Sequence, residues 1–307
     1  MAHGLVLIGL AAVSWGTTGS VMTVLSERAA ASPLLVGAAR LWIAAVLLLS
    51  VVAGAARTAS AVGGLRRKRF WASADVWRCI AMGACMAGYQ AAYFTAVTLS
   101  GIAVAALIAI CSAPLMIAVM APVALGERLG GRVRLALTLG VAGTPLLIAV
   151  PGGSLDLSPR FVAGALLALT AGLAYALYVV LAKATLARMA PLPLTALTFT
   201  AGAVLLTPAL LWTEAPLRQL ALGWPWLLYL GAVATAAAYA IYSMGLRSVP
   251  ASVAGVATLL EPLTATLLGV LIFGERLGSA GIVGALLLLS ALGLLAAYAS
   301  RQAEWRG

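Results

Sequence analysis

The sequence predicts an all-α integral membrane protein, with ten transmembrane helices arranged as two inverted five-helix repeats around a central cavity. Three observations lead there. The 307-residue chain is 64% hydrophobic and 9% charged, whereas a soluble domain carries about 25% charged residues. Its uncharged runs, at 79–126, 135–155, 161–182, 189–213, 219–246 and 277–300, provide the roughly 20 apolar residues that a spanning helix needs. Finally, Gly-Glu-Arg-Leu-Gly occurs at 126–130 and again at 274–278, and both glutamates, Glu127 and Glu275, lie 13 residues beyond a proline, Pro114 and Pro262.

A bilayer segment must satisfy its own backbone hydrogen bonds, which leaves helices or closed barrels. The runs are rich in Leu and Ala without period-2 alternation, so they are helices. They are placed at 4–25, 34–55, 76–98, 102–124, 132–150, 160–182, 193–213, 224–245, 251–273 and 279–299. The first lacks a basic flank and is closely followed by others, so it reads as a span and not a cleaved signal peptide. Two domains follow, 1–152 and 153–307, each with five helices. Five is odd, so the second repeat enters the membrane from the opposite side.

The net charge of +11 sits in short loops, where orientation signals belong; a nucleic-acid partner is not expected. With the N-terminus inside, 13 Lys and Arg fall on the cytoplasmic side, against four outside: Arg28, Arg160, Arg218 and Arg276. Both termini are therefore expected in the cytoplasm, with the protein in the cytoplasmic membrane. The cluster Arg66-Arg67-Lys68-Arg69 acts as a topology anchor that can touch anionic lipid.

These features resemble the drug/metabolite transporter superfamily, in its ten-helix EamA-type branch. The resemblance covers nearly the whole chain. It rests on the paired five-helix halves, Trp15-Gly16 in the first helix and Arg40 in the second. It rests also on Leu260-Glu261-Pro262-Leu263 in the ninth helix and on the Gly-Glu-Arg-Leu closures. The resemblance implies a cavity bounded by helices one to four and six to nine, with five and ten at the periphery. It is strongest to amino-acid and metabolite exporters. Thr198 aligns with Arg40, which therefore has no symmetric counterpart.

Candidate site residues are the polar and aromatic groups at depth. Glu261 is the one carboxylate placed well inside a span, where an ionised group costs several kcal/mol unless paired or neutralised. Proton coupling, pairing with a substrate ammonium, or a protonated structural role beside Pro262 are all open to it. Arg40 can bind a carboxylate bidentately or snorkel to the interface. Tyr89 and Tyr93, Tyr175 and Tyr178, and Tyr239 and Tyr242 are spaced at i, i+3 or i, i+4, so each pair shares a helix face. Trp15, Thr18 and Gln90 are further lining candidates, against simple helix packing. Pro114 and Pro262, near mid-membrane, are read as hinges, because interrupted helices at corresponding positions of two halves point to a transport site.

Other residues read as structural. Trp71, Trp77, Trp212, Trp224 and Trp226 flank spans as interfacial anchors. Glu127 and Glu275 cap or tie the turns that close each half, with a peripheral gate as the rival reading. Gly140, Gly143, Ala280 and Gly284 permit close backbone approach within the chain or in a homodimer. Cys79, Cys85 and Cys111 read as small buried hydrophobes.

An intramembrane enzyme is the competing class. His3 is the one histidine, Asp75 and Asp156 lie in loops, and no phosphate loop occurs, so a Ser–His dyad, an aspartyl pair or ATP hydrolysis has no residues to use. No cofactor and no metal are expected. The reading is a secondary transporter of small organic solutes, most simply amino acids or related metabolites, with multidrug, cationic or sugar transport on the same fold as the alternative. Proton coupling and the choice between monomer and homodimer stay open.

Overall fold

The computed structural model describes residues 1–61, 73–148, 158–274 and 278–304. The basic cluster at 66–69, Trp71, Asp156, Glu275, Arg276 and Arg306 lie outside the described residues. All regular structure among those described is helical, in the order α1 (Ala2–Gly16), α2 (Thr18–Ala29), α3 (Pro33–Ala61), α4 (Ser73–Ser100), α5 (Ile102–Leu125), α6 (Gly131–Ile148) and α7 (Pro159–Leu186). Then come α8 (Pro191–Leu206) with a 3-10 extension (Thr207–Trp212), α9 (Pro216–Gly231), a π-helical stretch (Ala232–Ala237), α10 (Ala238–Ser248), α11 (Ala251–Ala257), α12 (Leu260–Phe273) and α13 (Ser279–Glu304). Eight helical stretches among the described residues are long and apolar enough to cross a membrane.

Local chemistry sets the helix ends. Proline opens α3, α7, α8 and α9, where its missing N–H leaves nothing unpaired. Both copies of the repeated pentapeptide begin with a glycine in left-handed conformation, Gly126 (φ 67°) closing α5 and Gly274 (φ 67°) closing α12. Glycine adopts that conformation without a Cβ clash. At the first copy the Glu127 amide donates back to the Ala121 carbonyl at 3.4 Å.

Several stretches differ from the uniform rods expected. The first spanning stretch breaks at Thr17, between α1 and α2, and the eighth widens into the π stretch. The ninth divides at Thr258-Leu259, just before Pro262, which therefore sits in the first turn of α12. Pro114, by contrast, lies inside an unbroken α5. The two prolines keep equal spacing to their turns but do not interrupt their helices alike. Helix bounds also run past the expected 34–55 and 160–182, to Pro33–Ala61 and Pro159–Leu186.

The main buried cluster joins small, aliphatic and aromatic side chains, with smaller clusters beside it among the described residues. α4 packs along α7 and α8, α5 along α7, α3 along α8 and α9, and α1 along α10. α6 and α13 pair with each other at one side. Glycine permits this last contact: a Cβ on Gly143 would stand 2.8 Å from the Gly284 carbonyl oxygen, and one on Gly284 would stand 2.5 Å from that of Gly143. Large aliphatic side chains such as Val119, Val123, Leu271 and Leu286 are exposed on the outside, the surface that a bilayer covers.

Gly284→Ala is expected to lower folded stability by about 1–3 kcal/mol, the cost of overpacking, seen as a lower thermal midpoint in detergent. Gly293→Ala, whose new Cβ meets nothing within 4 Å, serves as the neutral control.

Candidate functional site

Trp15, near the end of α1, is the hub of an aromatic group that joins four helices. Its ring centroid lies 4.7 Å from that of Tyr239, 5.2 Å from Tyr242 and 6.4 Å edge-on from Tyr175. Tyr175 reaches Tyr89 at 6.0 Å, and Tyr89 stacks on Tyr93 at 5.8 Å. Tyr178 meets Tyr175 at 6.0 Å and Tyr239 at 5.9 Å. The three tyrosine pairs singled out by spacing, on α4, α7 and α10, thus converge on one tryptophan. Such contacts at 4.5–7 Å fix ring orientations.

The group and the α1 residues next to Trp15 hold several buried polar atoms. Trp15 Nε1, Ser14 Oγ and Thr18 Oγ1 are buried without a hydrogen-bond partner among the described residues, while the hydroxyls of Tyr178 and Tyr242 lie beside Ser243 and Tyr175. A buried, unpaired donor or acceptor costs on the order of 1–3 kcal/mol. Gathered in one place, such groups suit a site that water or a polar solute fills.

Two charges border the aromatic group. Arg40, on α3, is 9% exposed. Its Nε donates to Thr235 Oγ1 at 2.9 Å and its Nη2 to the Ala234 carbonyl at 3.4 Å. Both acceptors belong to the π stretch. Thr235 Oγ1 in turn donates to the Leu230 carbonyl at 2.7 Å, closing the backbone gap that the wider turn opens. Glu261, in the first turn of α12, lies within electrostatic reach of Arg40, and Tyr89 and Tyr93 stand within reach of its charge. The two do not pair: Arg78–Asp75 is the ion pair among the described residues.

The interrupted first and ninth stretches cross here. A Cβ on Gly16 would stand 2.6 Å from Thr264 Cβ and 2.8 Å from the Glu261 carbonyl oxygen, so only glycine lets α1 approach α12 this closely. Each break is mended by a threonine. Thr17 Oγ1 contacts the Ser14 carbonyl at 2.7 Å and the Tyr229 hydroxyl at 2.8 Å, and Thr258 Oγ1 donates to the Gly255 carbonyl at 2.8 Å.

The remaining sequence candidates fall elsewhere. Gln90 is buried on α4, its Cβ 3.6 Å from where a Cβ on Gly37 would stand. Pro262 follows the break beside Glu261, while Pro114 stays within α5. Trp77, Trp212 and Trp224 are exposed, and Trp226 is partly buried with the Arg28 guanidinium 5.5 Å over its ring. Phe199, 4.7 Å from Tyr239, Ser14 and Thr235 were not legible as site residues. An isolated Phe or Thr in an apolar run carries no spacing signal, and π geometry has none either.

An apolar helical fold whose interrupted helices meet beside buried polar groups is the architecture of a membrane transport protein. The chain belongs to the EamA-like transporter family, whose profile matches residues 2–149 and, a second time, 162–297. It is 36% identical over 302 residues to the uncharacterized transporter YwfM of Bacillus subtilis, covering 95% of this chain and 93% of that protein. It is 30% identical over 208 residues to an uncharacterized transporter of Archaeoglobus fulgidus, covering 68% and 71%. A solved crystal structure shares the fold at a TM-score of 0.79 with 23% identity, covering 97% of this chain and 98% of the other.

Thr235→Val removes the oxygen that accepts from the buried Arg40 and is expected to cost about 2 kcal/mol, the scale of a hydrogen bond to a charged group. Thermal melting of the purified protein checks this, with Thr235→Ser retaining the parent midpoint.

Proposed function

We propose that the protein is a secondary transporter that exports amino acids or closely related zwitterionic metabolites across the cytoplasmic membrane by alternating access. Ten crossings in two inverted repeats, 1–152 and 153–307, enclose the aromatic group, and both termini face the cytoplasm. The observation that carries the substrate class is the separation of Arg40 and Glu261. A guanidinium and a carboxyl group border one aromatic, hydroxyl-rich space without forming an ion pair with each other. A zwitterion satisfies both: its carboxylate takes the free edge of the guanidinium and its ammonium takes Glu261. The rings of Trp15, Tyr175, Tyr239 and Tyr242 then cover an apolar side chain and add cation–π attraction for the ammonium.

In this reading the breaks at Thr17 and Thr258-Leu259 serve as the flexible points of the first and ninth stretches beside the substrate. Rotation about these points, with Pro262 preventing the helix from closing over the gap, re-aims the outer part of each stretch. The unbroken α5 makes Pro114 a bend and not a second break.

In proteoliposomes, labelled leucine is expected to exchange against unlabelled amino acids. Arg40→Ala should weaken competition by leucine at least tenfold, about 1.4 kcal/mol, while leaving competition by the matching amine, which lacks the carboxylate, within twofold. Glu261→Gln should weaken both. If sugars or quaternary cations compete and amino acids do not, or if no labelled amino acid moves, this substrate class is wrong. The aromatic group and single carboxylate would then favour an organic cation.

A second measurement addresses coupling. Glu261→Gln is expected to abolish acceleration of export by a proton gradient while exchange without a gradient persists. An unchanged gradient response removes Glu261 from proton coupling.

A further inference from the structure

At the end of the bundle that carries the N-terminus, the turn from α10 to α11 is gripped by two opposite charges from elsewhere in the chain. Glu127, just past α5, uses both carboxylate oxygens. Oε1 accepts from the Ala251 amide at 2.6 Å, and Oε2 accepts from the Ser252 amide at 3.1 Å and from Ser252 Oγ at 2.7 Å. Lys183, near the end of α7, donates from Nζ to the carbonyls of Leu246 at 2.8 Å, Arg247 at 3.3 Å and Val249 at 2.7 Å. The ammonium also feels the Glu127 charge. Six charge-assisted hydrogen bonds thus converge on residues 246–252. Such bonds are about twice as strong as neutral ones.

Close to the same turn, helices of the two sequence repeats touch. Gly4 of α1 lies against Ser248 and the Gly245 carbonyl, and Gly255 of α11 lies against Ile117 of α5. Beyond its break the ninth stretch leaves α5: α12 packs on α1, α2, α6 and α13. The seam between α5 and the ninth stretch is therefore shut on the terminal side through α11. The bonds from Glu127 cross that seam, since Glu127 lies in the first repeat and Ser252 in the second.

We infer that Glu127 and Lys183 form a latch, Glu127 tying the first repeat to the 246–252 turn and Lys183 bracing the turn from its other side, and that its release opens the cavity to the cytoplasm. The inference rests on the alternating-access reading above. It gives the first copy of the repeated pentapeptide a task beyond ending a helix: the left-handed Gly126 turns the chain so that Glu127 points across the seam. Breaking the latch favours the cytoplasm-open state, and fixing it arrests the cycle.

The test uses full-length protein in inside-out membrane vesicles, with Cys79, Cys85 and Cys111 replaced by Ala. Ala121→Cys, at a buried position behind the latch, reports opening through its alkylation by a membrane-impermeant maleimide from the cytoplasmic face. Glu127→Gln and Lys183→Met should each raise the alkylation rate at least tenfold, about 1.4 kcal/mol. Unchanged rates in both overturn the latch. A second variant, Glu127→Cys with Ser252→Cys and no Ala121→Cys, keeps the test decisive if the first two fail to fold. Oxidation should stop leucine exchange in proteoliposomes and a reductant should restore it, whereas exchange at the parent rate while cross-linked overturns the proposal. If the parent moves no leucine but Ala121→Cys alkylation still follows the latch variants, the substrate assignment fails and the latch stands.

Discussion

A helix inside a bilayer can be interrupted only where protein or a polar cavity supplies partners for the backbone groups it frees. This constraint organises the whole molecule. Its irregular points, at Thr17, at 232–237 and at Thr258-Leu259, are each turned inward and mended by a threonine hydroxyl, on Ser14, Leu230 and Gly255 respectively. Because those carbonyls must be served locally, the breaks gather polar atoms in the interior. Arg40 enters the same economy, with the Ala234 carbonyl and Thr235 holding a charge that the bilayer would otherwise expel.

Charge in this protein is used at two depths for two purposes. In the middle, Arg40 and Glu261 lie near the aromatic group without forming an ion pair with each other, which is the arrangement the proposed zwitterion site uses. Toward the end carrying the N-terminus, Glu127 and Lys183 are consumed by backbone donors and acceptors and retain little. Arg40 is held by two oxygens of one π stretch, whereas Glu127 and Lys183 each spend three hydrogen bonds on a single turn.

Much of this was legible in the residues. Composition dictates the membrane setting, and the i, i+3 and i, i+4 tyrosine spacings place each pair on one face. Spacing cannot say which faces meet. Trp15 collecting Tyr175, Tyr239 and Tyr242 follows from α1 packing on α10, itself permitted by Gly4 and Gly245. The reading of Pro114 and Pro262 as equivalent hinges captured their spacing but not their local geometry. A proline inside a helix bends it, and whether the helix also parts depends on neighbours that can receive the freed groups. α12 has Gly16 against it at that level and α5 stays continuous.

The sequence by itself determined the environment, the helical class, the duplication and the residues able to carry charge at depth. These depend on composition and on short-range periodicity, which one chain read in order contains in full. Only the tertiary structure decided that Arg40 and Glu261 stay unpaired beside one aromatic group, and that Glu127 reaches Ala251 and Ser252, more than a hundred residues away. Such contacts are set by how glycine-lined helices close on each other. That is a property of pairs of surfaces, and no local pattern encodes it.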